Sequence, residues 1–183
     1  VGQTNVNGYV SLGHKDLDLR IEGENTPLGF LNHYISDIFH NIRGRSTGTC
    51  RIFGGFKSID FEGSQRASAS ALLPINGVTY HLNDAEVDIS PGSFRLNSAT
   101  LTDSLRGTGR VQGVLNHRHL HDMRYDFAMT GNNMLLYDRP QEDDLPFYAT
   151  AYGTGDVLLK GRPGRLDVNL KVRTEPGSVL TYV

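Results

Sequence analysis

Tryptophan is absent from this 183-residue chain, and cysteine occurs once, as Cys50. A single cysteine excludes a disulfide framework and a cysteine-rich zinc site. Neither sign of charge dominates: 18 Lys and Arg face 20 Asp and Glu, a net charge of −2. No basic field therefore exists to draw nucleic acid. No apolar run approaches the roughly 18 residues that a membrane helix requires. P-loop, dinucleotide glycine fingerprint and Gly-x-Ser-x-Gly elbow are all missing. The first residue is Val1 and no signal-peptide pattern follows it, so a processed chain or an excised piece is expected.

Glycine is what the chain has in plenty, 21 residues of 183, where about 7% is usual. Many glycines with few helix-forming runs point to short strands and frequent turns. Helical periodicity is found in one segment. Leu28, Leu31, Ile35, Ile38 and Ile42 recur at steps of three and four, with Phe30, Tyr34 and Phe39 widening the stripe. Thr26 as N-cap, Pro27 at the first helical position and Gly44 as a stop predict one short helix near residues 27–43.

Elsewhere the period is two. Leu17, Leu19 and Ile21 alternate with Asp18 and Arg20; Val87 and Ile89 flank Asp88; Phe94 and Leu96 flank Arg95. Tyr125, Phe127 and Met129 alternate in the same way. So do Leu166, Val168, Leu170 and Val172, with Asp167, Asn169 and Lys171 between them. Strict alternation predicts an antiparallel sheet with one dry face and one wet face, not the continuous apolar strands of a parallel α/β sheet.

The pattern also repeats. Thr47-Gly48 leads through Cys50 and Ile52 to Gly54, with Ile59-Asp60-Phe61 five residues on; Thr154-Gly155 leads through Val157 and Leu159 to Gly161, with Leu166-Asp167-Val168 five residues on. A looser copy runs from Thr108-Gly109 through Gly113 to Tyr125-Asp126-Phe127, and Gly13 before Leu17-Asp18-Leu19 begins a truncated one. Repeated strand–turn–strand units predict an elongated, stacked β structure.

Candidate chemistry is sparse. His117, His119 and His121 would share a face if all three lay on one strand, a geometry that can hold a metal. Their neighbours Asn116, Arg118 and Asp122 favour a polar turn. Glu142, Asp143 and Asp144 sit between Pro140 and Pro146, which suits an exposed loop better than calcium or acid–base work. Cys50 shares a face with Ile52 and reads as a small buried hydrophobe. Nothing here makes a catalyst; no catalytic residues, metal ligands or cofactors are expected. Ala149, Ala151, Gly153 and Gly155 line up ahead of Val157 and Leu159, leaving room either for a closely packed backbone or for an apolar ligand.

An ordered set of longer motifs is recognisable. Leu145-Pro146-Phe147-Tyr148-Ala149-Thr150-Ala151-Tyr152-Gly153-Thr154-Gly155 is followed by Gly161-Arg162-Pro163-Gly164-Arg165-Leu166-Asp167-Val168 and Thr174-Glu175-Pro176-Gly177-Ser178. This run resembles the C-terminal region of the TamB (translocation and assembly module) family, within the AsmA-like superfamily, with its FYGTAYATG, GxPxxLxIxV and TExGT segments. Leu28-Gly29-Phe30-Leu31-Asn32 is similar to the family's LxFLNPF helix, and Gly44 to Gly54 to its glycine-spaced strand. Gly113-Val114-Leu115-Asn116-His117 is similar to GxIxH. Ala149 replaces a usual Gly, Gly153 stands where Ala is common, and the histidines after His117 are not a family feature.

The resemblance implies an all-β fold: an elongated, curved antiparallel sheet, β-taco-like, with an apolar inner face. It implies that residues 1–183 are a single β-rich domain, a fragment of a much longer periplasm-spanning protein anchored in the inner membrane of a diderm bacterium. The implied function is non-enzymatic: a conduit carrying phospholipid between the two membranes and supporting outer-membrane assembly. Its implied partners are phospholipid acyl chains and a TamA-like outer-membrane barrel. The expected groove lining is Val87, Ile89, Phe94, Leu96, Tyr125, Phe127, Met129, Ala149, Ala151, Val157, Leu159, Leu166, Val168, Leu170 and Val172. The alternative is a scaffold that captures strands of nascent barrel proteins at its edge. A sandwich binding carbohydrate or calcium is a third reading, with the absence of Trp against it. Exposed apolar faces also predict a homodimer of the isolated piece.

Overall fold

A computed structural model describes residues 2–33, 36, 39–105, 107–141 and 145–182. The described residues form one sheet of eleven strands in which every pairing is antiparallel. The strands are β1 (Gln3–Ser11), β2 (Asp16–Pro27), β3 (His40–Gly55), β4 (Ser58–Leu73), β5 (Val78–Ser90) and β6 (Ser93–Asp103). They continue as β7 (Thr108–Arg118), β8 (His121–Arg139), β9 (Phe147–Arg162), β10 (Arg165–Thr174) and β11 (Val179–Tyr182). Spatial order follows chain order from β1 to β10. Strand β11 lies end to end with β10 along the same edge of β9. The step between them is made by Glu175, whose N–H donates to Tyr152 O at 2.9 Å, and by Ser178, whose Oγ accepts from Tyr152 N at 3.0 Å.

The expected helix is largely overturned. Helical structure among the described residues is one 3-10 turn, Gly29–His33; Pro27 closes β2 opposite Arg45, and His40 to Gly44 are already in β3. Tyr34, Ile35 and Ile38 lie outside the described residues. Leu28 and Ile42 are both buried, and strand-type bonding joins their segments: Leu28 N donates to Gly44 O at 3.0 Å. The Asn32 amide takes the place of a paired strand residue, accepting from Ile42 N at 2.7 Å and donating to Ile42 O at 2.9 Å. Pairing with two neighbouring strands outweighs the weak local preference for helix.

The repeat corresponds to equivalent hairpins. Gly54 opposes Ile59 and Ile52 opposes Phe61 across β3–β4; Gly161 opposes Leu166 and Leu159 opposes Val168 across β9–β10. The threonine of each Thr-Gly pair also has a task. Asn25 and Asn133 adopt left-handed φ of 53° and 49° where the register of β2 and β8 shifts. Their N–H groups donate to Thr47 Oγ1 at 3.1 Å and Thr154 Oγ1 at 2.9 Å. Asp84 (φ 47°) repeats the device with Ser68 Oγ at 3.0 Å. Asn and Asp tolerate this conformation better than other non-glycine residues, and each bulge bends its strand.

The resulting sheet is curled and open. Asn76, in the β4–β5 turn, donates through Nδ2 to Leu136 O at 3.0 Å and accepts at its own O from Asp138 N at 2.8 Å. Tyr80 Oη donates to Leu135 O at 2.9 Å. These bonds join β5 to β8 across the two strands between them. Val78, Leu101, Met134 and Leu135, on the strands that these bonds join and between them, are buried.

Candidate functional site: a concave apolar face

Directly opposed residues of antiparallel strands project from the same face, so the register assigns every side chain to a side. One row crosses ten strands as Val6, Ile21, Cys50, Gly63, Ile89, Phe94, Leu115, Tyr125, Gly161 and Leu166. The next reads Gln65, Val87, Leu96, Gly113, Phe127, Leu159 and Val168. Ala99, Val111, Met129, Val157 and Leu170 make a third, and Leu101, Gly109, Gly131, Gly155 and Val172 a fourth. Ala149 and Ala151 continue the alternation of β9. All fifteen residues expected to line a groove therefore lie on one face.

That face is the concave one. Tyr80, opposite Asp103, belongs to it, and both reach across to the β8 backbone. At the opposite end of the strands Phe61, Phe94 and His117, also of this face, cluster with ring centroids 4.8 to 6.2 Å apart. The convex face carries the charges. Asp88, Arg95, Val114, Asp126, Lys160 and Asp167 form one of its rows. Lys160 Nζ bonds Asp126 Oδ2 at 2.9 Å, and Arg51 bridges Asp18 and Glu62 at 2.7 and 2.8 Å. The Arg51 guanidinium holds the Asp18 carboxyl below the usual carboxylate range.

Burial divides the concave face. Ala149 and Val157 are buried; Val87, Ile89, Phe94, Leu96, Tyr125, Phe127, Met129, Ala151, Leu159 and Leu166 are half-buried. On the flank, Val168, Leu170 and Val172 are 46, 56 and 38% exposed, and on the other flank Val6 and Val10 are exposed as well. Above Gly153 the space left by small residues is taken by the Leu136 side chain, and above Gly131 by Met134, whose Cγ stands 2.6 Å from where a Cβ would be. Close packing thus accounts for that part of the stripe. Residues of the same face outside the expected lining include Val6, Val10, Leu17, Leu19, Ile21, Ile52, Ile59, Phe61, Ala99, Leu101, Val111 and Leu115. Their period-two spacing was a usable signal in β2 and β4, whereas intervening glycines hid it in β7.

The other candidate residues do not converge. His117 ends β7's inner row, His119 and Leu120 form a turn with φ of 50° and 65°, and His121 opens β8. The shared strand face is lost because the chain reverses between them. His117 is buried; burial pushes its imidazole below the ordinary range, and its Nδ1 accepts from Leu120 N at 3.1 Å. Among the described residues no group of three or more His, Cys, Asp or Glu is placed to hold a metal. Glu142, Asp143 and Asp144 lie outside the described residues. Cys50 is half-buried, less than expected, and desolvation pushes its thiol up.

An open antiparallel sheet, apolar within its curve and charged outside, defines a β-scaffold with one apolar concave face. Residues 97–183 match the family model of the TamB C-terminal domain. Over those residues the chain is similar to the C-terminal domain of a family of transport and assembly proteins. No curated protein matches the chain, and no solved structure does. No helix among the described residues is long and apolar enough to cross a membrane.

Proposed function

We propose that this chain is a segment of a periplasmic conduit that carries phospholipid between the inner and outer membranes along its concave face. The observation that carries the reading is the continuity of one row without charged side chains from β1 to β10, joined from β6 to β10 by three further apolar rows, with a flank left open to solvent. A lipid tail loses about 0.8 kcal/mol of favourable burial per CH₂ in water. A continuous dry face offsets that loss at each position, and it needs no reacting group. The chain is then one domain of a longer protein anchored in the inner membrane.

A second reading rests on the edges. Strand β1 pairs on one side with β2, and β10 with β9, so both present backbone groups that another chain could pair with. These edges suit capture of a strand from a barrel precursor or from a TamA-like partner, and also a second copy of this chain.

Native mass spectrometry of the protein purified from a diderm host, with lipid extraction, tests the first reading. Bound phospholipid is expected in the wild type and lost in Val168→Asp and Leu170→Asp, whose exposed positions spare the fold. Asn169→Asp on the convex face serves as control. A lipid-free wild-type monomer, or equal lipid retention in all variants, overturns the conduit.

A further inference from the structure

The β3–β4 turn and the β7–β8 turn meet over one end of the concave face. His119 of the second turn contacts β4, its Nδ1 3.2 Å from Ile59 O and 3.3 Å from Asp60 Oδ2. Between the turns lies a cavity of about 500 Å³. Its floor is Ile52, Ile59 and Phe61, which belong to the concave face already described. Its rim is Lys57, His119 and His121.

Charge is distributed unevenly here. Lys57 pairs with none of the described carboxylates. Asp60 is occupied twice, by His119 and by Gly92 N, which donates to its Oδ1 at 3.2 Å. Asp122, beside His121, is paired with Arg118 at 3.0 Å. The Asp60 and Asp122 carboxylates are thus both engaged by other groups, while an ammonium and two imidazoles edge an apolar floor. That complements an amphiphile with an anionic head and an aliphatic tail.

We propose that this cavity seats the phosphate-bearing head of an acyl amphiphile, its tail lying on Ile52 and Phe61 and running onto the concave face. The proposal rests on the conduit reading and adds to it a fixed point where headgroup charge is recognised. Lys57 supplies the ammonium and the His121 imidazole a donor to a phosphate oxygen, while His119, its Nδ1 turned to Ile59 O and Asp60 Oδ2, holds the β7–β8 turn against β4.

Calorimetric titration of the chain with three probes tests it: dodecyl phosphate, dodecyltrimethylammonium and inorganic phosphate. Dodecyl phosphate is expected to bind about tenfold tighter than the ammonium of equal tail length, and Lys57→Glu to weaken it about fivefold, as an exposed charge contact should. Lys57→Gln is expected to fall between, and His121→Glu to act like Lys57→Glu; melting temperatures check that the variants fold. Equal affinity for the two amphiphiles, untouched by Lys57→Glu, overturns the headgroup site and leaves the conduit standing. Binding of neither amphiphile overturns both. Inorganic phosphate binding as tightly as dodecyl phosphate overturns the lipid headgroup in favour of a free anion.

Discussion

Asp103 offers the sharpest test of how the sheet is held in its curve. Its carboxylate is buried and accepts three backbone N–H groups: Leu105 at 2.8 Å and Gly107 at 3.0 Å on Oδ1, and Leu135 at 2.6 Å on Oδ2. The first two shape the β6–β7 turn, and the third ties β6 to β8 across β7. Asp103→Ala strands two buried donors, Gly107 N and Leu135 N, and the part-buried Leu105 N at once. Each bond to a charged acceptor is worth roughly 1.5–3 kcal/mol, and an unpaired buried donor costs about 1–3 kcal/mol. The terms overlap, and the lost carboxylate no longer needs desolvating, so about 3–5 kcal/mol is expected in total. Asp103→Asn keeps the shape but turns an NH₂ toward at least one donor, at about 1–3 kcal/mol. With about 2–4 °C per kcal/mol for a chain of this size, the alanine variant should melt about 10 °C lower and asparagine about half as much. Urea titration followed by circular dichroism measures both, and amide exchange at Leu135 should accelerate in the same order. A wild-type midpoint for Asp103→Ala, or asparagine worse than alanine, would refute the pinning role.

Other outcomes follow from the same geometry. Burial pushes Tyr80 up to about 12 from 10 in the unfolded chain, so its contribution is complete below pH 10 and lost as pH rises toward 12. The loss amounts to about 3 kcal/mol, and Tyr80→Phe should lack that alkaline slope in denaturation measurements. His117, lowered by burial and, to a lesser degree, by His119, with Asp60 opposing, contributes above its unfolded value of 6.5 and loses that contribution as pH falls. His117→Phe should flatten the stability profile between pH 7 and 5. Thr154→Val leaves the Asn133 N–H without its acceptor and should cost about 1 kcal/mol; an unchanged urea midpoint would show that the hydroxyl does not hold the bulge. Gly155→Ala, at φ 152° with a carbonyl of β10 in the way of a Cβ, should cost about 2 kcal/mol or more.

How much of this could be read from the chain differs from element to element. Leu166, Val168, Leu170 and Val172 alternate without interruption, and a period of two leaves one arrangement for such a strand beside another of the same kind. The whole expected lining therefore falls on one face. The run from Leu28 to Ile42 misled because Leu31 stands in a turn and Ile42 in a strand. The His117–His121 alternation misled for a related reason, since two left-handed residues reverse the chain in its middle.

By itself, then, the order of residues determined the dry and wet faces, the hairpins and their register at the glycines. These are local properties, carried by spacing within some fifteen residues. The tertiary structure alone decided which way the sheet curls, where it closes and which part of the apolar face stays open. Those outcomes depend on Asp103 meeting Leu135 and Asn76 meeting Leu136, and on Asn133 meeting Thr154. The partners in these pairs stand 21 to 60 positions apart, and their meeting depends on the curvature they help to create.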